Sequence, residues 1–257
     1  MNHYTSGFCL LYRFYYLIMS TDTVLVSIFV QFKEQGMGQV LQIPRLIGVK
    51  CSNLLEIRDL LLENGEQGTL ESQTWEAFHA DPREISVHFS IAYRDSVVMV
   101  LFQVEEPEIR ATFHSHGDLV FNDSCVEFFI SDAKGTYLNV ECNPFGAVLS
   151  GIGRSRHERF RMGVDFYSRL GVWTSIDRSE RQAPPTNGTW EILLQIPLDV
   201  AFKGLADKAL KDLVFSGNLY KCGDLLQHPH YISWAPIHTD APDFHQSSFF
   251  GKFEFLA

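Results

Sequence analysis

Residues 8–19 (FCLLYRFYYLIM) and 24–31 (VLVSIFVQ) are the most apolar runs near the start of this sequence, and neither has the roughly 18–20 apolar residues a bilayer-spanning helix needs. Arg13 interrupts the first and Asp22 separates the two. An export signal would show a basic start and a small-residue cleavage site. Here no Lys or Arg precedes Phe8, and no A-x-A pattern follows. Residues 1–36 are therefore expected to lie outside the folded domain, as an upstream extension with Met37 as the true start and residues 37–257 as the domain. The alternative is a degenerate export signal. The first reading favours the cytoplasm over secretion or the periplasm.

Basic residues are also short: 21 Lys and Arg against 31 Asp and Glu, a net charge of −10. A nucleic-acid partner wants a basic face, and an anionic membrane repels this balance, so neither is expected. Cysteine is sparse and unpatterned. There are five, an odd number, widely spaced and without a CxxC. That argues against a disulfide framework and against a zinc site. Cys125 and Cys142 sit in apolar strand-like runs and read as small buried thiols, which favours a reducing compartment.

Catalytic signatures are missing as well. The chain has no GxSxG elbow, no P-loop, no HExxH and no GxGxxG opening a helix. GIGRSR (151–156) runs from a strand into a basic loop and is a weak phosphate signal. His228, His230, His238 and His245 cluster late. HPHY has the look of a metal pair but lacks a partner at a recognised spacing, so these read as hydrogen-bonding loop histidines. No metal site and no cofactor are expected.

What the sequence does have is aromatic and apolar strand material: 46% hydrophobic and 13% aromatic residues, with 21 Phe. Such side chains suit a pleated, half-buried surface. Strands are predicted over 40–49, 85–93, 97–104, 108–113, 124–131, 136–142, 146–153, 171–176, 189–198, 213–221, 230–237 and 251–257. Helices are predicted over 54–63 and 199–210, with breaks at 63–68 and 183–188. About ten short strands at this spacing imply one all-β antiparallel sandwich or flattened barrel.

Several segments then carry a resemblance. GDLVFNDSCVEFFI (117–130), YLNVECN (137–143) followed by FGA, TWEILLQIPL (189–198), ISWAPI (232–237) and DFHQSSFFGKFEF (243–255) resemble, in order, the motifs of family 9 carbohydrate-binding modules. The pattern YKCGD, PH, SW, FFG at 220–224, 229–230, 233–234 and 249–251 resembles stand-alone bacterial members. The resemblance covers about residues 75 to 256. It implies a DOMON-like sandwich that binds a terminal sugar between two aromatics and does no chemistry, often in company with xylanases. Carried over by position, the aromatics are Phe121 and Phe244, where the family has Trp. Glu127 and Asn139 match polar residues facing the sugar, and Trp234 and His245 complete the expected set. A mono- or oligosaccharide is thus the expected partner. The family often carries structural calcium, but no acidic loop here matches an EF-hand pattern.

The same roles make physical sense. The C–H face of a pyranose packs on an aromatic ring, and an ionised carboxylate accepts strong hydrogen bonds from hydroxyls. Other readings stay open. Phe121 and Phe244 each also suit a core position, Glu127 a solvent-facing one, and Trp234 reads as core first. Arg156 and Arg159 read as a solvated basic loop that could meet an acidic sugar. A glycosidase would use Glu127 with Asp118, Asp123 or Glu141, and would require that pair to share a cleft. A DOMON-like haem domain would need His230 with Met99 or Met162 on one pocket wall.

Overall fold

The computed structural model describes residues 38–48, 51, 53–73, 75, 85–177, 185–205 and 208–257. The expected extension over 1–36 lies outside them.

The described residues form two β-sheets with three short helices. The first sheet contains β1 (Val40–Ile43), β5 (Cys125–Asp132), β6 (Tyr137–Cys142), β7 (Val148–Gly153), β8 (Arg159–Arg161), β11 (Phe215–Cys222), β12 (Tyr231–Ser233) and β13 (Gly251–Phe255). Its order is β1-β13-β11-β5-β6-β7-β8, with β12 also paired to β11. The second contains β2 (Glu66–Thr69), β3 (Ser86–Arg94), β4 (Val97–Glu106), β9 (Gly171–Thr174) and β10 (Gly188–Pro197), in the order β2-β3-β4-β10-β9. All pairings are antiparallel except β1 with β13. This is the expected all-β sandwich.

Alternation explains the layers. Successive side chains on a strand point to opposite faces. Val87, Phe89 and Ile91 on β3, Val98, Val100 and Phe102 on β4, and Val126, Phe128 and Ile130 on β5 all fall in one buried cluster between the sheets. Burying a Val or Phe side chain completely stabilises by about 1.5–3 kcal/mol, so this layer holds the sheets together.

Both sheets are also covered on their outer faces, which explains the uninterrupted apolar runs. The helix α1 (Leu54–Asn64) lays Ile57 and Leu61 on Ala92, Met99, Leu101 and Leu193 of the second sheet. Its first turn is capped by Asn53, whose side chain accepts from the Glu56 N–H at 3.0 Å. The outer face of the first sheet is covered by Trp75, Val120, Ile237 and Phe244.

Several expected elements differ. β1 stops at Ile43 because Pro44 follows and cannot donate to a ladder. Residues 108–113 form no strand. Instead the N–H groups of Thr112 and Phe113 bind the Asp123 carboxylate, at 2.8 and 3.0 Å, so a side chain takes the place of a neighbouring strand. The helix expected over 199–210 is reduced to α3 (Leu198–Ala201) and a 3-10 turn at Leu210–Asp212. Of 230–237 only β12 is strand. The polar segment 66–69 pairs with β3, and β8 and α2 (Val164–Arg169) form where loop was expected.

Candidate functional site

The site lies on the outer face of the first sheet, where β5, β6 and β11 run side by side. Residues directly opposite one another share a face. Glu127 on β5 stands opposite Glu141 on β6 and Tyr220 on β11. Cys125 stands opposite Cys222, and Phe129 opposite Asn139. Glu127 and Glu141 are both buried, at 4% and 2% exposure. Burial first, and then Glu141, raises the Glu127 carboxyl well above the usual carboxylate range. Burial raises Glu141 as well, against the pull of Arg159. Two carboxylates this close resist ionising together.

Their partners are uneven. The Cys222 thiol donates to Glu127 Oε1 at 3.2 Å. Asn139 Nδ2 donates to Glu141 Oε1 at 2.8 Å, and Arg159 Nη1 sits 3.7 Å from the same oxygen. Arg159 Nη1 also donates to Asn139 Oδ1 at 2.8 Å. Glu141 Oε2 is buried with no hydrogen-bond partner.

Arg159 is aimed by the β7–β8 hairpin. A Cβ on Gly153 would come within 2.0 Å of the Glu158 carbonyl oxygen, so only glycine lets the hairpin close. Across the opening, Arg156 Nη1 lies 3.6 Å from Asp243 Oδ1. The Asp224 N–H donates to the Phe121 carbonyl at 3.0 Å. That bond ties the turn after β11 to the segment bearing Phe121.

These groups line a cleft of about 100 Å³ bounded by Phe121, Glu127, Glu141, Arg156, Arg159, Cys222, Asp224, Tyr231, Pro242, Asp243, Phe244 and His245. Four of the six residues expected from the sequence meet there: Phe121, Glu127, Phe244 and His245. Asn139 lies one layer behind, holding Glu141 and Arg159. Trp234 does not reach the cleft. It is in the core between the sheets, tilted against Phe253 with ring centroids 5.8 Å apart.

The two aromatics are not equivalent. Phe244 is 8% exposed. It stacks on Tyr220 at 4.1 Å and 8°, lies tilted at 45° against Trp75 and makes a T-shaped contact with Tyr231. One of its faces is therefore already taken. Phe121 and Tyr231 are half-buried and show ring surface to the cleft. His245 pairs with the Tyr137 hydroxyl at 3.0 Å through Nδ1. Burial, then Arg159, pulls its pKa down to about 3, so it is a neutral imidazole.

Asp224, Tyr231 and Asp243 were not picked out from the sequence as site residues, although each lies within or beside a segment that carried the resemblance. Of the acids considered beside Glu127, only Glu141 shares its cleft. Asp123 is fully buried, accepting from Thr112, Phe113 and Asn143. Asp118 accepts from Ser115 N in an exposed turn. The haem reading fails on placement. His230 is buried beside Lys221, Met99 lies under α1, and Met162 packs at the edge of the central core. No pocket wall brings them together.

The sequence profile of carbohydrate-binding family 9 matches residues 57–255. The chain belongs to this family. Among solved structures, a candidate carbohydrate-binding protein from Bacteroides uniformis is 29% identical, with a TM-score of 0.73, over 85% of this chain and 100% of that one. A family 9 module from Caldicellulosiruptor kristjanssonii, solved with cellotriose, superposes with a TM-score of 0.52 at 12% identity, over 84% of this chain and 93% of that one. The same kind of module with glucose gives 0.51 at 11%, over 85% and 96%. No curated protein matches the chain.

Proposed function

We propose that this cleft binds the terminal sugar of a glycan, with no chemistry of its own. The observation that carries this is the pairing of half-buried ring surface, on Phe121 and Tyr231, with the buried carboxylates of Glu127 and Glu141 and the arginines Arg156 and Arg159 around one cleft. A sugar needs both: an apolar surface for its C–H face and fixed polar groups for its hydroxyls. At about 100 Å³ the cleft is far smaller than the roughly 300–1,000 Å³ that encloses drug-sized ligands, so it suits one end of a chain. Glu127, Glu141 and Asp224 accept from hydroxyls, and Arg159 and Arg156 donate to ring or hydroxyl oxygens. Membership of the family supports the same reading, as do the sugars held by the Caldicellulosiruptor modules.

The test is calorimetric titration of the whole chain with a panel of mono- and oligosaccharides beginning with glucose and cellotriose. Binding that falls at least about tenfold, or ~1.4 kcal/mol, in Phe121→Ala and in Glu127→Gln is expected. Binding untouched by both places the sugar elsewhere.

A second reading, glycoside hydrolysis, draws on the Glu127–Glu141 pair sharing one cleft. A glycosidase needs its carboxyls on either side of the scissile bond. These two stand on adjacent strands of a single wall, which favours binding. Release of free sugar from an aryl glycoside by wild type, lost in Glu127→Gln, would reverse that preference.

A further inference from the structure

We propose that the closed end of the cleft is a zinc site formed by Cys125, Glu127 and Cys222. The two thiol sulfurs and a Glu127 carboxylate oxygen lie within 4.8 Å of one another, and all three residues are buried. The sheet builds this arrangement. Cys125 and Cys222 are direct cross-strand partners on β5 and β11, and Glu127 is the next residue on that face of β5. Cys222 is already in contact with Glu127 Oε1 at 3.2 Å. Zinc binds thiolate sulfur at about 2.3 Å and carboxylate oxygen at about 2.0–2.2 Å. Ligands around one ion therefore sit roughly 3–4 Å apart, a spacing that small side-chain rotations reach from here.

A second observation points to the same place. Glu141 faces Glu127 across β5 and β6, lines the same cleft, and has a buried Oε2 with no hydrogen-bond partner. A buried orphan oxygen is costly, and this one lies beside the three ligands on the same wall of the cleft. Cys222 and Glu127 border the cleft, which gives an ion a path from solvent. Two sulfurs with carboxylate oxygen select zinc over calcium or magnesium, which prefer oxygen alone.

The proton balance is simple. Burial raises the Cys125 thiol to about 11, and the hydrogen bond with Cys125, then burial, raises Cys222. In the metal-free protein each sulfur keeps its proton. Zinc entry forms two Zn–S bonds and one Zn–O bond. The two thiol protons leave to solvent, together with any proton on Glu127, and no electrons move. The cysteines are far apart in sequence, so no motif announces them. The proposal needs no sugar, and its failure would leave the sugar reading intact.

The experiment is titration of the reduced, chelator-treated whole chain with Co²⁺ and then Zn²⁺. The expected result is one equivalent of Co²⁺ with thiolate-to-cobalt charge-transfer absorption, displaced by Zn²⁺. Cys125→Ser and Cys222→Ser should each weaken zinc at least about tenfold, whereas Cys51→Ser, beside α1, leaves it unchanged. If a core variant does not fold, zinc K-edge absorption of the wild type decides: sulfur scatterers at about 2.3 Å from the metal are expected. No charge-transfer band in wild type would overturn the proposal, as would a band that survives loss of both cysteines. So would a zinc shell of nitrogen and oxygen alone, or recovery of the two sulfurs as a disulfide.

Discussion

The first sheet buries charged side chains on both of its faces, and the two sides differ. On the inner side Lys221 is fully buried. Its ammonium lies 2.8 Å from Glu106 Oε2 of the second sheet, 2.8 Å from His230 Nε2, and donates to the Cys222 carbonyl at 3.0 Å. Glu106 Oε1 accepts from Trp190 Nε1 at 2.7 Å. Glu106 Oε2 is off the hydrogen-bond direction but in direct ionic contact. On the outer side Glu127 and Glu141 are equally buried, yet they face each other, and Glu141 Oε2 has no hydrogen-bond partner. The inner cluster is closed and opposite in charge, which ties sheet to sheet. The outer one is like-charged and opens on a cleft. Buried charge that is fully answered is structural here, and buried charge left partly unanswered marks the site.

Breaking the inner cluster should have the largest effect on stability. Lys221→Met strands the Glu106 carboxylate and should cost about 3–5 kcal/mol in urea unfolding. Adding Glu106→Gln, whose amide oxygen can still accept from Trp190, should recover much of the loss. A single variant as stable as wild type would mean the inner pair is not what joins the sheets.

Next comes Phe244→Ala. Phe244 is buried on Tyr220, so truncation should destabilise by about 3–5 kcal/mol. Phe121→Ala, half exposed, should cost under about 1 kcal/mol while still weakening sugar. Parallel unfolding and binding curves separate the two aromatics, and equal stability losses would erase the distinction between them.

Glu127→Gln should do the reverse of Lys221→Met. It replaces a carboxyl whose ionisation burial and Glu141 already disfavour, so unfolding should stay within about 1 kcal/mol of wild type, while sugar binding falls. A large loss of stability would place Glu127 with the structural charges.

The last prediction is a pH slope. His245 stays neutral in the fold down to about 3, whereas an unfolded histidine takes up its proton near 6.5. Below about pH 6.5 the unfolded chain therefore binds more protons at this position, and stability falls as pH drops towards 3. The slope is at most about 1.4 kcal/mol per pH unit. His245→Gln should flatten the curve between pH 6.5 and 4 relative to wild type. Parallel curves would show that His245 protonates freely.

The sandwich was legible because its signals are local. Alternation in 85–93 and 189–198 and the apolar run at 97–104 each report a strand whose cover lies nearby. β2 and β8 were missed because polar residues pair there as edge and hairpin strands, with little apolar content to announce them. Residues 108–113 read as strand from composition, but Asp123 takes their N–H groups. Of the residues the resemblance points to, Phe121, Glu127, Phe244 and His245 line one cleft. Trp234 was drawn in by its motif and turns out to face the core, since a strand motif does not say which face a residue takes. The Glu127–Glu141 pairing and the meeting of Cys125 with Cys222 depend on register between distant strands, which no single segment encodes.

The most direct measurement is chemical-shift mapping on the isotope-labelled whole chain titrated with glucose and cellotriose. Saturable shifts at Phe121, Glu127, Cys222, Asp224, Tyr231 and His245, with β3, β4 and β10 unmoved, are the predicted result. An unchanged spectrum with both sugars, or shifts confined to the second sheet, would contradict sugar binding in this cleft.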